Sequence, residues 1–126
     1  MDNPKASVLV VEDDAAIRRL VQMVLKREGY AVEAAADGVE AVLKLGLCDY
    51  DVIVLDLMMP NLDGFTVIDT FARNEPARLK RIIVASAASP AVIRERMHGQ
   101  PFTTLHKPFD LTELTSCVRA CLEASR

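Results

Sequence analysis

The 126-residue sequence predicts an α/β fold, a doubly wound (βα)5 domain with a five-stranded parallel sheet in the order 2-1-3-4-5. Three observations lead there. Five short apolar runs alternate with five helix-like segments. The first, third and fourth runs are almost continuously apolar, as strands are when helices cover both faces of a parallel sheet. The polar residues that break the apolar pattern fall directly after the runs, at what becomes one common edge of the sheet.

The first run, "SVLVV" (Ser7 to Val11), is a buried strand. Asp14 then caps a helix in which Ile17, Leu20, Val21, Val24 and Leu25 form one apolar stripe, and Gly29 stops it. The second run, "YAVEAA" (Tyr30 to Ala35), is mixed and reads as an edge strand. Asp37 and Glu40 are a cap and its reciprocal partner, opening a helix with Ala41 and Leu45 inward. "DVIVL" (Asp51 to Leu55) is the third strand. Asp63 caps a helix carrying Phe65, Ile68 and Phe71, with Pro76 beyond its end. "RIIVA" (Arg81 to Ala85) is the fourth strand. Ser89 followed by Pro90 starts a short helix with Ile93 and Met97 inward, ending near Gly99. "FTTL" (Phe102 to Leu105) is short and polar, a second edge strand. Asp110 with Glu113 repeats the capping pattern for a last helix that turns Leu111, Leu114, Val118 and Leu122 inward. Right-handed crossovers place these helices on both faces.

Length and composition fit one domain, residues 1–126, without repeats or low-complexity segments. With 15 basic and 18 acidic residues and no Lys/Arg block, direct nucleic-acid binding is not expected. No apolar run approaches the roughly 18 residues of a membrane helix, and "MDNPKAS" does not resemble a signal peptide. The three cysteines, Cys48, Cys117 and Cys121, form neither a disulfide framework nor a CxxC metal site. A reducing, cytoplasmic setting is therefore expected. Cys117 and Cys121 sit beside the apolar stripe of the last helix and read as core packing.

The chemistry lies just beyond the strands. After the first come Glu12, Asp13 and Asp14; after the third, Asp56; after the fourth, Ser86; after the fifth, His106, Lys107 and Pro108. In open α/β sheets, ligands bind at the carboxyl ends of the strands beside the switch in strand order. Strands one, three and four are neighbours in that order, so Asp13 and Asp56 lie side by side, with Ser86 flanking and Lys107 reaching in. Clustered carboxylates must share a proton or a cation. All-oxygen ligands suit magnesium, and the absence of a Cys/His set argues against zinc. A nucleophilic carboxylate, a hard cation, a lysine and a hydroxyl together suit phosphoryl transfer to Asp56.

The segments "VLVVEDDAAIRRL", "VIVLDLMMPNLDG", "IIVASA" and "HKPF" resemble the four signature segments of the receiver domain of bacterial two-component response regulators. The resemblance spans essentially the whole chain and implies a flavodoxin-like fold. It implies that Asp56 is the phosphoacceptor in a phosphorelay. Glu12, Asp13, Asp56 and the backbone carbonyl of Met58 would hold Mg2+. Ser86 would be the switch hydroxyl and Lys107 the lysine that contacts the phosphoryl group, with a cis Lys107–Pro108 bond. A histidine kinase or histidine phosphotransfer protein would be the donor, and a downstream protein the target of the switched surface. The domain would catalyse only its own phosphorylation and dephosphorylation, as a monomer or a weak phosphorylation-dependent dimer. It is expected to stand alone, with a receiver cut from a larger transcription factor or hybrid kinase as the alternative.

Several residues have plainer readings. Asp14 reads as a helix cap rather than a metal ligand. Arg18 and Arg19 read as a solvated helix face, and His98 and His106 as structural. Receivers usually carry Tyr or Phe three residues before the lysine, where this chain has Thr104. Phe102, two residues earlier, is expected on the same side of the strand as a substitute. "RMHGQPFTT" replaces the usual Gly-Ala turn, so partner binding there is expected to be atypical. Met58 and Ala88, two residues after Asp56 and Ser86, are apolar and imply slow self-dephosphorylation. Three rivals remain: a phosphatase of the haloacid-dehalogenase type, which needs an Asp where Met58 stands; an FMN binder, whose first loop "EDD" would repel phosphate; and a receiver-shaped module that is never phosphorylated.

Overall fold

The computed structural model describes residues 6–59, 64–96 and 101–124. The elements run β1 (Ser7–Val11), α1 (Ala15–Arg27), β2 (Ala31–Ala35), α2 (Gly38–Leu47), β3 (Val52–Asp56), α3 (Gly64–Asn74), β4 (Ile82–Ser86), α4 (Pro90–Arg96), β5 (Thr103–His106) and α5 (Leu111–Ala124). All pairings are parallel, in the order β2-β1-β3-β4-β5. This is the predicted topology, with β3, β4 and β5 each ending one residue later than the apolar runs suggest. That residue is Asp56, Ser86 or His106, a polar group held inside the ladder.

Alternation along the strands divides the core into two layers. Leu9, Val11, Ile53, Leu55, Ile82 and Val84 face α2, α3 and α4, where they meet Ala41, Leu45, Phe65, Ile68, Phe71 and Ile93. Val8, Val10, Val52, Val54, Ile83 and Leu105 face α1 and α5, against Val21, Leu25, Leu114, Val118 and Cys121. The central strands β3 and β4 are buried throughout, which explains their unbroken apolar sequences. The edge strand β2 alternates, with Ala31 and Glu33 exposed.

The caps follow the sequence closely. Asp14 Oδ1 accepts from the N–H groups of Ala16 (2.9 Å) and Ile17 (3.0 Å). Asp37 Oδ1 accepts from Glu40 N–H (2.8 Å), while Glu40 returns its carboxylate to Ala36 N–H, one residue before the cap. Asp110 and Glu113 form the full reciprocal pair. Gly29 follows α1 with φ of 97°, a conformation other side chains resist. The proposed cap Asp63, and Met97 and Gly99 at the end of α4, lie outside the described residues, as does His98.

Some packing differs from the pattern. In α1 only Val21 and Leu25 are buried, whereas Ile17 and Leu20 are exposed. The stripe is wider than the surface that α5 and the sheet can cover. In α5 the innermost residue of the last turn is Cys121, with Leu122 half-buried. A 3-10 helix, Pro76–Arg81, joins α3 to β4 where the sequence shows only a proline stop. The turn buries Leu79, and Asp49 anchors it through ion pairs to Arg78 and Arg81. Among the described residues no helix is long and apolar enough to cross a membrane.

Gly64 is a position where only hydrogen fits. A Cβ there would lie 2.6 Å from the Asp56 carbonyl oxygen and 2.7 Å from Leu57 Cα. At Gly46 in α2 a Cβ would meet no atom within 4 Å. Gly64→Ala is therefore expected to lower stability by about 1–3 kcal/mol. Gly46→Ala should raise it by up to about 1 kcal/mol. Urea denaturation midpoints check both signs, and a neutral Gly64→Ala would contradict the close approach.

Candidate functional site

The strand register assembles the site. Val11 pairs with Leu55, which sets Glu12 level with Asp56. Asp56 pairs with Ala85, and Ser86 with His106, so Lys107 enters one step beyond the end of β5. By alternation Glu12, Asp56 and Lys107 project toward the α1/α5 layer, while Ser86 projects toward the other.

Lys107 Nζ donates to Glu12 Oε1 at 2.7 Å and lies 3.3 Å from Asp56 Oδ2. Asp56 Oδ1 accepts from Met58 N–H (3.1 Å), and Glu12 Oε2 from Asp14 N–H (3.2 Å). Glu12 and Asp56 are buried and Asp13 is exposed. One carboxylate oxygen from each of the three lies within 4.8 Å of the others. Asp14 is absent from this group, its carboxylate being used as the helix cap. Ser86 is fully buried, and its hydroxyl accepts from Ala88 N–H (3.0 Å) at the start of the β4–α4 loop. The four strand ends therefore bring Glu12, Asp13, Asp56 and Lys107 together, with Ser86 adjacent and turned toward its own loop. The Lys107–Pro108 bond is cis, as the resemblance implied.

Burial pushes the Asp56 carboxyl up to about 6, well above its ordinary 3.8. The Met58 N–H opposes this, the Glu12 charge adds to it, and Lys107 draws it down. Burial alone would depress Lys107, but its hydrogen bond to Glu12 and the charges of Asp56 and Glu12 outweigh burial and hold the ammonium above its ordinary value. The cluster thus has more acid than it can neutralise. An all-oxygen set with surplus negative charge fits a hard divalent cation such as magnesium.

Two residues that hold the site escaped the sequence reading. Arg18, read as solvated surface, donates to the carbonyl oxygens of Glu12 (2.9 Å) and Asp13 (3.4 Å) and so ties down the acidic loop. Its position one helical turn after the Asp14 cap is the signal that could have identified it. Gly64 brings α3 onto the β3 end, donating its N–H to Leu57 O at 3.0 Å. Phe102 also departs from expectation. It packs in the α1/α5 layer, whereas Val84, the strand partner of Thr104, faces the other. Phe102 precedes β5, so strand alternation does not govern it, and exposed Thr104 has no aromatic substitute there.

The raised Asp56 value carries a sign. Between 3.8 and about 6 the folded protein binds more protons than the unfolded chain, so stability falls as pH rises through that window. Asp56→Asn removes this cost. Without divalent cations the variant is expected to be about 1–3 kcal/mol more stable near pH 7, with the advantage gone below about pH 4. Melting curves across that range measure it, and a variant no more stable than the parent near neutral pH would refute the argument.

Residues 8–119 match the family model for the response regulator receiver domain. The chain is 51% identical over 118 residues to the transcriptional regulatory protein ResD of Bacillus subtilis, covering 94% of this chain and 48% of that protein. It is 37% identical over 121 residues to the sensor kinase CckA of Brucella abortus, covering 94% of this chain and 13% of the kinase. It thus spans about half the length of one relative and a small part of the other. The structure of the response regulator TrrA from Thermotoga maritima, solved in complex with Mg(2+)-BeF, superimposes with a TM-score of 0.77 at 28% identity, covering 93% of this chain and 99% of that one. With its topology, its strand-end cluster and the family match in agreement, the chain belongs to the response regulator receiver domains of two-component phosphorelay signalling.

Proposed function

We propose that Asp56 is the phosphoacceptor of this receiver, with the described cluster as its catalytic apparatus. The observation that carries the reading is the approach of Lys107 Nζ to both Glu12 and Asp56, beside a group of three carboxylates. A carboxylate oxygen of Asp56 attacks phosphorus; the bond from phosphorus to the donor's imidazole nitrogen breaks, and that nitrogen leaves with the bonding electron pair. The product is an aspartyl phosphate.

Glu12, Asp13, Asp56 and the backbone carbonyl of Met58 are the groups we assign to Mg2+. When bound, the ion neutralises charge on the transferring group. Lys107 is well placed to exchange its carboxylate partner for a phosphoryl oxygen, since its ammonium already stands against Asp56. Ser86 would give up its bond to Ala88 N–H to reach the same group. The donor is a histidine kinase or histidine phosphotransfer protein, and the output is a changed surface read by a downstream protein. We read the chain as one receiver domain, a module that ResD and CckA resemble only over part of their length.

Acetyl phosphate with magnesium should add one phosphoryl group to the intact chain, seen by mass spectrometry. The gain should vanish in Asp56→Asn and without divalent cation; persistence in Asp56→Asn would refute the assignment. Met58 is exposed and Ala88 half-buried, and neither can orient an attacking water. Slow self-dephosphorylation is therefore expected. Met58→Asn or Ala88→Glu should shorten the phosphoryl lifetime severalfold, and unchanged decay would reject that explanation.

A further inference from the structure

Asp13 is the least restrained of the three clustered carboxylates. Glu12 closes the ladder, its N–H donating to the Ala35 carbonyl (3.1 Å), and its carboxylate is held by Lys107 and by the Asp14 N–H. Asp56 lies inside β3, with one oxygen on the Met58 N–H. Asp14 is fixed as the cap of α1. Asp13 stands exposed between the end of the ladder and the start of the helix. Among the described residues, one hydrogen bond holds it: its carbonyl accepts from Arg18 Nη1 at 3.4 Å. The same nitrogen donates to the Glu12 carbonyl at 2.9 Å. Arg18 lies one turn into α1, and helix side chains lean toward the N-terminus, so it reaches back over the loop that precedes its own helix. Val21 and Leu25 anchor that helix in the core.

We infer that Arg18 is a positioning residue for the metal set: it ties the Asp13 carboxylate to an anchored helix and so fixes where that ligand is offered. The inference rests on the assignment of Glu12, Asp13, Asp56 and the Met58 carbonyl to Mg2+. Magnesium demands near-ideal octahedral geometry and tolerates a misplaced ligand poorly. Losing a group that orients a metal ligand typically costs about 10–100-fold in affinity. Charge alone predicts the opposite sign, since a guanidinium beside the loop repels a divalent cation. Arg18 is only half-buried, and solvent weakens the reach of its charge, whereas its hydrogen bonds set the loop geometry directly. Position therefore outweighs repulsion.

Titration of the unphosphorylated chain with magnesium chloride, followed by backbone amide NMR shifts, tests the sign. Arg18→Met keeps the apolar stem and removes every donor, and its Kd for Mg2+ should rise about 10-fold. Arg18→Lys keeps the charge but replaces the planar fork with a point donor, so its affinity should fall between the two. Arg19→Met, at the exposed neighbouring position, should leave affinity unchanged. Labelling of Arg18→Met by acetyl phosphate should need about 10-fold more Mg2+ for its half-maximal rate. A merely structural role would lower the melting temperature and move neither readout. Asp13→Asn separates this inference from the assignment beneath it. If Asp13→Asn binds Mg2+ as the parent does, the assignment fails and the inference with it. If Asp13→Asn loses affinity while Arg18→Met binds as tightly as the parent or tighter, the positioning role of Arg18 alone is overturned.

Discussion

The Lys107 ammonium stands between two buried carboxylates, Glu12 and Asp56, and much of the molecule serves to keep it there. The three groups come from the ends of β1, β3 and β5, so no local segment can form the contact. It requires the sheet order and the register that sets Val11 against Leu55 and Ser86 against His106. Removing the Lys107 ammonium from this cluster would leave buried carboxylates uncompensated away from water, which costs far more than loss of a surface pair. Yet the arrangement is not neutral, because three acids surround one amine. Burial raises the Asp56 carboxyl and the Glu12 charge adds to it, which makes the site receptive to a cation and to a transferring group that brings its own oxygens.

Such a site works best if its carboxylates are held in place before charge arrives. The strands supply that stiffness, since Val52 to Asp56 and Ile82 to Ser86 are buried on both faces. The loops need separate restraints. Arg18 clamps the Glu12 and Asp13 carbonyls, Asp14 fixes the start of α1, and the Met58 N–H holds one oxygen of Asp56. Gly64 lets α3 start in contact with the β3 backbone. Each restraint ends in a backbone atom, so residues outside the cluster set its geometry.

The fold was legible because its signals are local and periodic: buried apolar runs, capping pairs, and polar residues at strand ends. Topology set Asp13, Asp56 and Lys107 at one edge, and the family resemblance added Glu12, which is the buried partner of Lys107 where Asp13 is exposed. What was not legible depends on tertiary contact. Arg18 looks like any lysine or arginine on a helix surface until the acidic loop folds back over it. Ile17 and Leu20 share the spacing of Val21 and Leu25, but the surface they would cover runs out. Phe102 has strand-like spacing from Thr104, but the strand starts after it, and the ring turns to the opposite layer. Ser86 was correctly placed at its strand end, but its hydroxyl direction depends on the Ala88 N–H, which only the loop conformation provides.

With Thr104 where receivers usually carry Tyr or Phe, the α3/α4 side of the sheet edge has no Tyr or Phe ring from β5. The structure supplies other contacts there. Ile93 anchors α4 in the core, and the Arg96 guanidinium lies 3.9 Å from the centre of the Phe65 ring, close enough for cation–π attraction. Phe65 is the second residue of α3, next to Gly64, which is bonded to Leu57 one residue beyond Asp56. Ala88, whose N–H holds the Ser86 hydroxyl, packs against the same core layer. The two polar ends that frame the site, Asp56 and Ser86, are therefore each one short chain of contacts from α4. A displacement of either loop must be absorbed by the packing of Phe65, Ala88 and Ile93, because close-packed interiors offer no slack in which to lose it. In this receiver the ring that borders α4 belongs to α3, and it is held by a cation from α4 itself.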